Sequence, residues 1–201
     1  MKKIMIFASG GGSNFIAIHK NILKGEISNA NIEGLVSNNP KCGAVSYAIN
    51  NNIRTYIINS FRYKTDENIS DRLIEILEEK NIDLLVLAGY MKLIPYQIVD
   101  RYNNKIINIH PSYLPEYGGK GYYGSKVHKA VLKDKKDFTG VTVHYVNNKY
   151  DEGEIIFQKQ IEVKNNDNLE SLSKRVLDYE HIIYSKVINN ICNDYQKEKN
   201  D

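Results

Sequence analysis

Two hydrophobic rhythms alternate along the first half of the chain. Short, continuously apolar runs occupy Lys3–Ala8, Ile32–Ser37, Thr55–Ile58, Ile82–Ala88 and Lys105–Ile109. Unbroken runs of this length suit strands buried on both faces of a parallel sheet, and Ile82–Ala88, the most apolar, predicts the central one. Between them apolar residues recur at helical spacing. In Asn14–Leu23, Phe15, Ile18 and Ile22 share one face, with Ser13 placed to cap it. Gly43–Asn50 predicts a second helix, and Asp66–Lys80 a third with Ile69, Leu73, Ile76 and Leu77 on its inner face. This order predicts an α/β fold, a mostly parallel sheet with helices on both faces.

Beyond Pro111 the texture changes. Pro115, Gly118, Gly119, Gly121 and Gly124 mark a long irregular loop, followed by a helix over Ser125–Leu132. Two strands, Thr139–Val146 and Glu154–Val163, flank the polar turn NNKYDEG. A long helix over Leu169–Cys192 closes the pattern, with Leu169, Leu172, Val176, Tyr179, Ile183 and Val187 as its stripe; residues 196–201 (QKEKND) are expected to fray. With neither repeat nor linker, the 201 residues read as a single domain.

Composition narrows the function classes. Apolar residues make up 42% and charged residues 25%, ordinary for a globular chain. A net charge of +3 suits a phosphorylated small molecule but falls short of a dedicated nucleic-acid binder. No stretch approaches the length of a membrane span, and the apolar run after Lys2 and Lys3 reaches glycine too soon for a signal sequence. Cys42 and Cys192 lack a paired spacing and read as free thiols, so a cytoplasmic location is expected.

Three unusual segments fall at predicted strand ends, where open parallel sheets bind ligands. GGGSN (Gly10–Asn14) follows the first strand, GYMK the central strand, and NIHPSYLP the next. GGGSN lets a ligand approach the backbone at a helix N-terminus, whose dipole favours an anion; tight packing of the turn is the alternative reading. Neither a dinucleotide fingerprint nor a Walker motif is present, because the third glycine, the acidic strand end and the GK[ST] ending are all missing. In NIHPS, Asn108 and His110 stand two residues apart, on one side of a continuing strand. An amide and an imidazole so placed form an oxyanion clamp for acyl transfer, or they close a strand-ending turn. Asp151, in the turn YDEG, is either a turn former or the carboxylate that raises the His110 pKa and holds it cationic.

These segments, together with LAGYMKLIP (Leu87–Pro95), GVTVHYV (Gly140–Val146) and the D-x-G-x-I-I-x-Q run Asp151–Gln158, resemble the folate-dependent formyltransferases over nearly the whole chain. The resemblance implies a single-domain Rossmann-like formyltransferase fold and a catalytic trio of Asn108, His110 and Asp151. It implies 10-formyltetrahydrofolate as formyl donor, no metal, and as acceptor the amine of a phosphorylated glycinamide riboside, in purine synthesis. Gly12, Ser13, Asn14, Gly89, Pro111 and Glu180 would hold this ribotide. Lys64, Met91, Lys92, Leu93, Ile94, Asn108, Asn147, Asn148, Lys149 and Tyr150 would hold the folate, with Val99 in the pterin pocket. Residues 1–110 would thus form the ribotide half, and 111–201 the folate-site loop, strand pair and final helix.

Relatives with tRNA or hydrolytic roles usually add further domains, for which no room is expected in this chain. A stand-alone formyltransferase for amino-sugar nucleotides, or a non-catalytic anion-binding regulatory domain, remains as an alternative. The expected partners are small molecules, not nucleic acid or membrane, and the expected state a monomer or weak homodimer. Lys64 and Lys92 stand where the family often has Arg, keeping the charge but not the bidentate fork. The loop GGKGYYG (Gly118–Gly124) resembles a longer-loop variant, His144 reads as a structural family residue, and the Leu114–Pro115 peptide is expected to be cis.

Overall fold

In the computed structural model, which describes residues 1–197, the continuous apolar runs become neighbouring strands of one sheet. The strands are β1 (Lys2–Phe7), β2 (Ala30–Ser37), β3 (Thr55–Ile57), β4 (Leu84–Leu87), β5 (Ile106–His110), β6 (Phe138–Tyr145) and β7 (Ile155–Glu162). The helices are α1 (Ser13–Leu23), α2 (Gly43–Asn50), α3 (Asp66–Glu79), α4 (Tyr96–Arg101), α5 (Ser125–Lys133) and α6 (Leu169–Lys197). The strand order is β3-β2-β1-β4-β5-β6-β7. β1 to β5 pair in parallel, while β6 and β7 join antiparallel. The chain winds outward from β1 to β3, then returns to β4 on the other side of β1. The switch point, where such sheets open a crevice, therefore lies between β1 and β4.

Strand alternation builds two cores. On β1, Ile4 and Ile6 face one cluster shared with α1, α2, α5 and α6, whereas Met5 and Phe7 face a second shared with α3 and α4. Long α6 lies across the first face, burying Leu172, Val176, Tyr184 and Ile188. The buried Tyr184 hydroxyl sits 2.9 Å from the Leu87 carbonyl and 3.0 Å from that of Ile107, fixing α6 over β4 and β5. The Thr65 hydroxyl caps α3 by accepting the Asn68 N–H at 3.1 Å.

The predicted elements all form, with three differences. Ser13 does not cap α1: it lies inside the helix, and the cap position is Gly12 at φ 80°, without a side-chain cap. Helix α4 has no counterpart in the sequence pattern, because six residues after Pro95 are too few to show a helical period. Helix α6 continues past Cys192 to Lys197, so part of the expected frayed tail is helical and residues 198–201 lie outside the described residues. The Leu114–Pro115 peptide is cis, as expected. Both cysteines are free and buried. No described helix is long and apolar enough to cross a membrane.

Candidate active site

The carboxyl ends of β1, β4 and β5 open into a cavity of about 690 Å³, roofed by the Gly118–Gly124 loop and bordered by α5 and α6. Two hydrogen bonds hold its floor. The Ser9 N–H donates to the Gly89 carbonyl at 3.0 Å, and the Met91 N–H to the Ser9 hydroxyl at 3.0 Å, so the exits of β1 and β4 move as one.

Asn108 and His110 project from β5 toward Asp151, as their spacing requires. Asp151 Oδ1 lies 3.4 Å from Asn108 Nδ2, 3.5 Å from His110 Nδ1 and 3.5 Å from His144 Nε2. Its other oxygen accepts the Gly119 N–H at 2.9 Å, fastening the roof loop to the site. Asp151 can enter this cluster because its turn folds tightly: it adopts φ 57°, and a Cβ at Gly153 would run into the Tyr145 carbonyl.

Hydrogen bonding fixes which ring nitrogens carry protons, since a carbonyl only accepts. His110 Nε2 lies 2.8 Å from the Tyr117 carbonyl and therefore bears its proton there, leaving Nδ1 as the exchangeable nitrogen, facing Asp151. His144 Nδ1 donates to the Tyr145 carbonyl at 2.8 Å, so Nε2 is the nitrogen that faces the Asn108 amide at 3.2 Å and Asp151. His144, expected to be structural, thus also fixes which way the Asn108 amide points.

The protonation of His110 differs from the sequence expectation. Burial lowers its pKa below 6.5 and outweighs the upward pull of the Asp151 carboxylate and the Tyr117 carbonyl. The resting ring is therefore neutral near pH 7, not held cationic. Burial pushes Asp151 upward, but hydrogen bonding to His144, the His110 charge and the Gly119 N–H prevail and keep it below the ordinary carboxyl value.

Gly12, Ser13 and Asn14 line the same cavity, with Gly89, Pro111 and Glu180. Asn14 Nδ2 donates to Glu180 Oε2 at 3.2 Å, joining α1 to α6. Burial drives the Glu180 carboxyl up to about 7 against the opposing Asn14 amide. Met91, Lys92, Leu93, Ile94, Lys149 and Tyr150 also line the cavity. Asn108 lines it too, whereas the structure does not bring Lys64, Asn147 and Asn148 into the lining. Lys64 turns its ammonium to the Phe61 carbonyl at 2.9 Å, Asn147 closes its own turn by accepting the Lys149 N–H, and Asn148 is exposed on the same turn. Val99 packs in the second core.

Sequence reasoning missed His128, Ser173 and Leu177, and left the roof loop, with Lys120 and Lys126, without a role; all line the cavity. The only signal for the loop was its glycine density, and nothing in the periodicity of α5 or α6 separated cavity-facing from core-facing residues. Among the described residues, no group of three or more His, Cys, Asp or Glu side chains is arranged to hold a metal.

Residues 2–188 match the formyl transferase family. A phosphoribosylglycinamide formyltransferase of Arabidopsis thaliana, named as chloroplastic, is 41% identical over all of this chain and 68% of its own length. That of Bacillus subtilis (strain 168) is 38% identical, over 94% of this chain and 93% of its own. Against two further plant relatives the chain spans 61% and 63% of their length. The crystal structure of glycinamide ribonucleotide transformylase 1 from Geobacillus kaustophilus superposes with a TM-score of 0.89 at 31% identity, covering 96% of this chain and 100% of that one.

Proposed function

The chain belongs to the formyl transferase family, and on that premise we propose that it transfers the formyl group of 10-formyltetrahydrofolate to the amine of 5'-phosphoribosylglycinamide, a step of purine synthesis. The observation that carries this reading is the convergence of Asn108 Nδ2, His110 Nδ1 and His144 Nε2 on one oxygen of Asp151, in a cavity also lined by a glycine-rich helix N-terminus. The names borne by relatives that share most of this chain support the choice of acceptor.

The acceptor phosphate would sit at Gly12–Asn14, where α1 begins without a side-chain cap and its dipole and first N–H groups favour an anion. Glu180 would take the ribose hydroxyls. The formyl donor would lie along Met91–Ile94, with Lys92, Lys149 and Tyr150 at the rim. The compartment is a reducing one, consistent with two unpaired buried thiols, and we read it as the cytoplasm.

The acceptor amine, with an ordinary pKa of about 7.7–8.0, is partly a free base near neutrality. Its nitrogen adds to the formyl carbon, placing negative charge on the formyl oxygen, which the Asn108 amide stabilises, joined by the His110 ring once that ring has taken the amine proton. Donors in such clamps contribute roughly 3–4 kcal/mol each. Neutral His110 accepts the amine proton at Nδ1; the imidazolium so formed is stabilised by Asp151, within 3.5 Å. The proton then passes to the folate nitrogen as the carbon–nitrogen bond to folate breaks. Acid–base help of this kind contributes about 10²–10⁴-fold.

The test mixes purified protein with 10-formyltetrahydrofolate and one amine at a time, following folate absorbance. Turnover with phosphoribosylglycinamide and none with an amino-sugar nucleotide is expected. The reverse preference, or no turnover with either amine, would refute the assignment.

A further inference from the structure

A neutral imidazole carries one ring proton and can offer it to one side only. His110 faces an acceptor on each side. The Tyr117 carbonyl lies 2.8 Å from Nε2, and an Asp151 carboxylate oxygen lies 3.5 Å from Nδ1. A carboxylate is the stronger acceptor of the two, so at equal distance it would draw the proton to Nδ1. The nearer carbonyl reverses that preference and leaves the Nδ1 lone pair open. With the proton on Nδ1 the ring would still lie beside Asp151, but that nitrogen could take no further proton. The place of one backbone carbonyl thus decides whether His110 can act as a base at Nδ1.

Local preference does not hold Tyr117 in that place. It takes φ 53°, a backbone region that residues with a side chain rarely adopt. The turn before it is pinned from the sheet. The Thr142 hydroxyl donates to the Ser112 carbonyl at 2.7 Å and accepts the Leu114 N–H at 3.1 Å, and Gln158 Nε2 donates to the Leu114 carbonyl at 2.9 Å. Tyr117 itself is tied to a different element, because its hydroxyl donates to Asp134 Oδ2 at 2.8 Å. Asp134 is the C-terminal cap of α5, and its N–H reaches the Ala130 carbonyl at 2.9 Å, so this anchor moves with the helix. Two residues beyond Tyr117, the Gly119 N–H meets the other Asp151 oxygen at 2.9 Å. The segment Tyr117–Gly119 therefore touches both His110 and Asp151, while its side-chain anchor lies on α5.

We propose that Tyr117 is a positioning residue: its hydroxyl, anchored on Asp134, holds its carbonyl against His110 Nε2 and so selects the ring tautomer whose Nδ1 can accept the amine proton. The use of that nitrogen in catalysis rests on the function proposed above; the tautomer itself does not. Burial and the bond to Asp134 push the Tyr117 phenol up to about 12, so it remains a donor at cellular pH.

Tyr117→Phe, Asp134→Ala and Asp134→Asn would be compared with wild type, with the Tm of each measured alongside. Tyr117→Phe keeps the ring and its edge contact with Tyr122 while losing the bond to Asp134. NMR of ring nitrogens in histidine-labelled protein at about pH 8, above the ordinary histidine pKa, separates protonated from bare nitrogens. The His110 signals are identified by their loss in His110→Gln. Wild type is expected to show Nε2 protonated and Nδ1 bare. Tyr117→Phe and Asp134→Ala should move the Nδ1 signal toward the protonated value. Their kcat should fall about tenfold or more, the range of one hydrogen bond to a charged group, with both Michaelis constants within about twofold of wild type. Asp134→Asn, which keeps an accepting oxygen, should recover part of both changes. Wild-type nitrogen signals in Tyr117→Phe and Asp134→Ala would overturn the proposal whatever happens to kcat. So would a wild type protonated at Nδ1, or a displaced proton with kcat unchanged. The nitrogen signals are read without substrate, so a wild-type protein inactive with phosphoribosylglycinamide would sink the functional reading and leave the tautomer test standing.

Discussion

Glu180 is a buried carboxyl with one side-chain partner, and its titration has a definite sign. Its pKa is about 7 in the folded chain against an ordinary 4.5, so folding favours the neutral acid. Stability is then greatest below about 4.5 and declines as pH rises through about 7, where the buried carboxylate must form. The decline should amount to about 3 kcal/mol. Urea denaturation of wild type and Glu180→Gln from about pH 4.5 to about pH 8 checks this: the variant should lack the decline, and parallel curves would show that Glu180 does not cause it. At this scale the sequence made Asn108, His110 and Asp151 legible, because a short motif constrains residue type and spacing together. The protonation of His110 was not legible, since it depends on how much water the fold removes around it. Nor was the part His144 plays: only the Tyr145 carbonyl, seen in three dimensions, determines which ring nitrogen faces Asn108.

Strands and amphipathic helices were legible as elements because both periods are written in the apolar positions, and the pattern over Gly43–Asn50 marks the observed ends of α2. What escaped was local. The cap of α1 falls at Gly12 and not at Ser13, because capping depends on backbone torsions that residue type only suggests. Gly12 takes that place for a steric reason as well: it adopts φ 80°, and a Cβ there would lie 2.8 Å from the Ala44 Cβ on α2. Gly12→Ala must shift α1 against α2 or strain the turn. We expect a loss of about 1–3 kcal/mol of stability, read by thermal or urea unfolding, with the acceptor KM rising more than the donor KM. Unchanged stability would mean that the turn is looser than its geometry implies.

The whole molecule gathers distant segments by topology. Reversal of strand order between β1 and β4 opens the crevice, and β6 runs antiparallel from His110 back past Ile107, so the turn that follows it must fold back to set Asp151 against Asn108 and His110. Neither pairing has a sequence period, so their meeting could be anticipated only from the order of motifs. The central claim is that Asp151 stabilises the imidazolium formed when His110 takes the amine proton, and replacing that carboxylate by an amide of nearly equal size isolates the charge. Turnover of 10-formyltetrahydrofolate and phosphoribosylglycinamide by Asp151→Asn, compared with wild type at matched Tm, is the most direct measurement. The account predicts that kcat falls about 10²–10⁴-fold with the fold retained. A folded Asp151→Asn variant turning over within about threefold of wild type would contradict it.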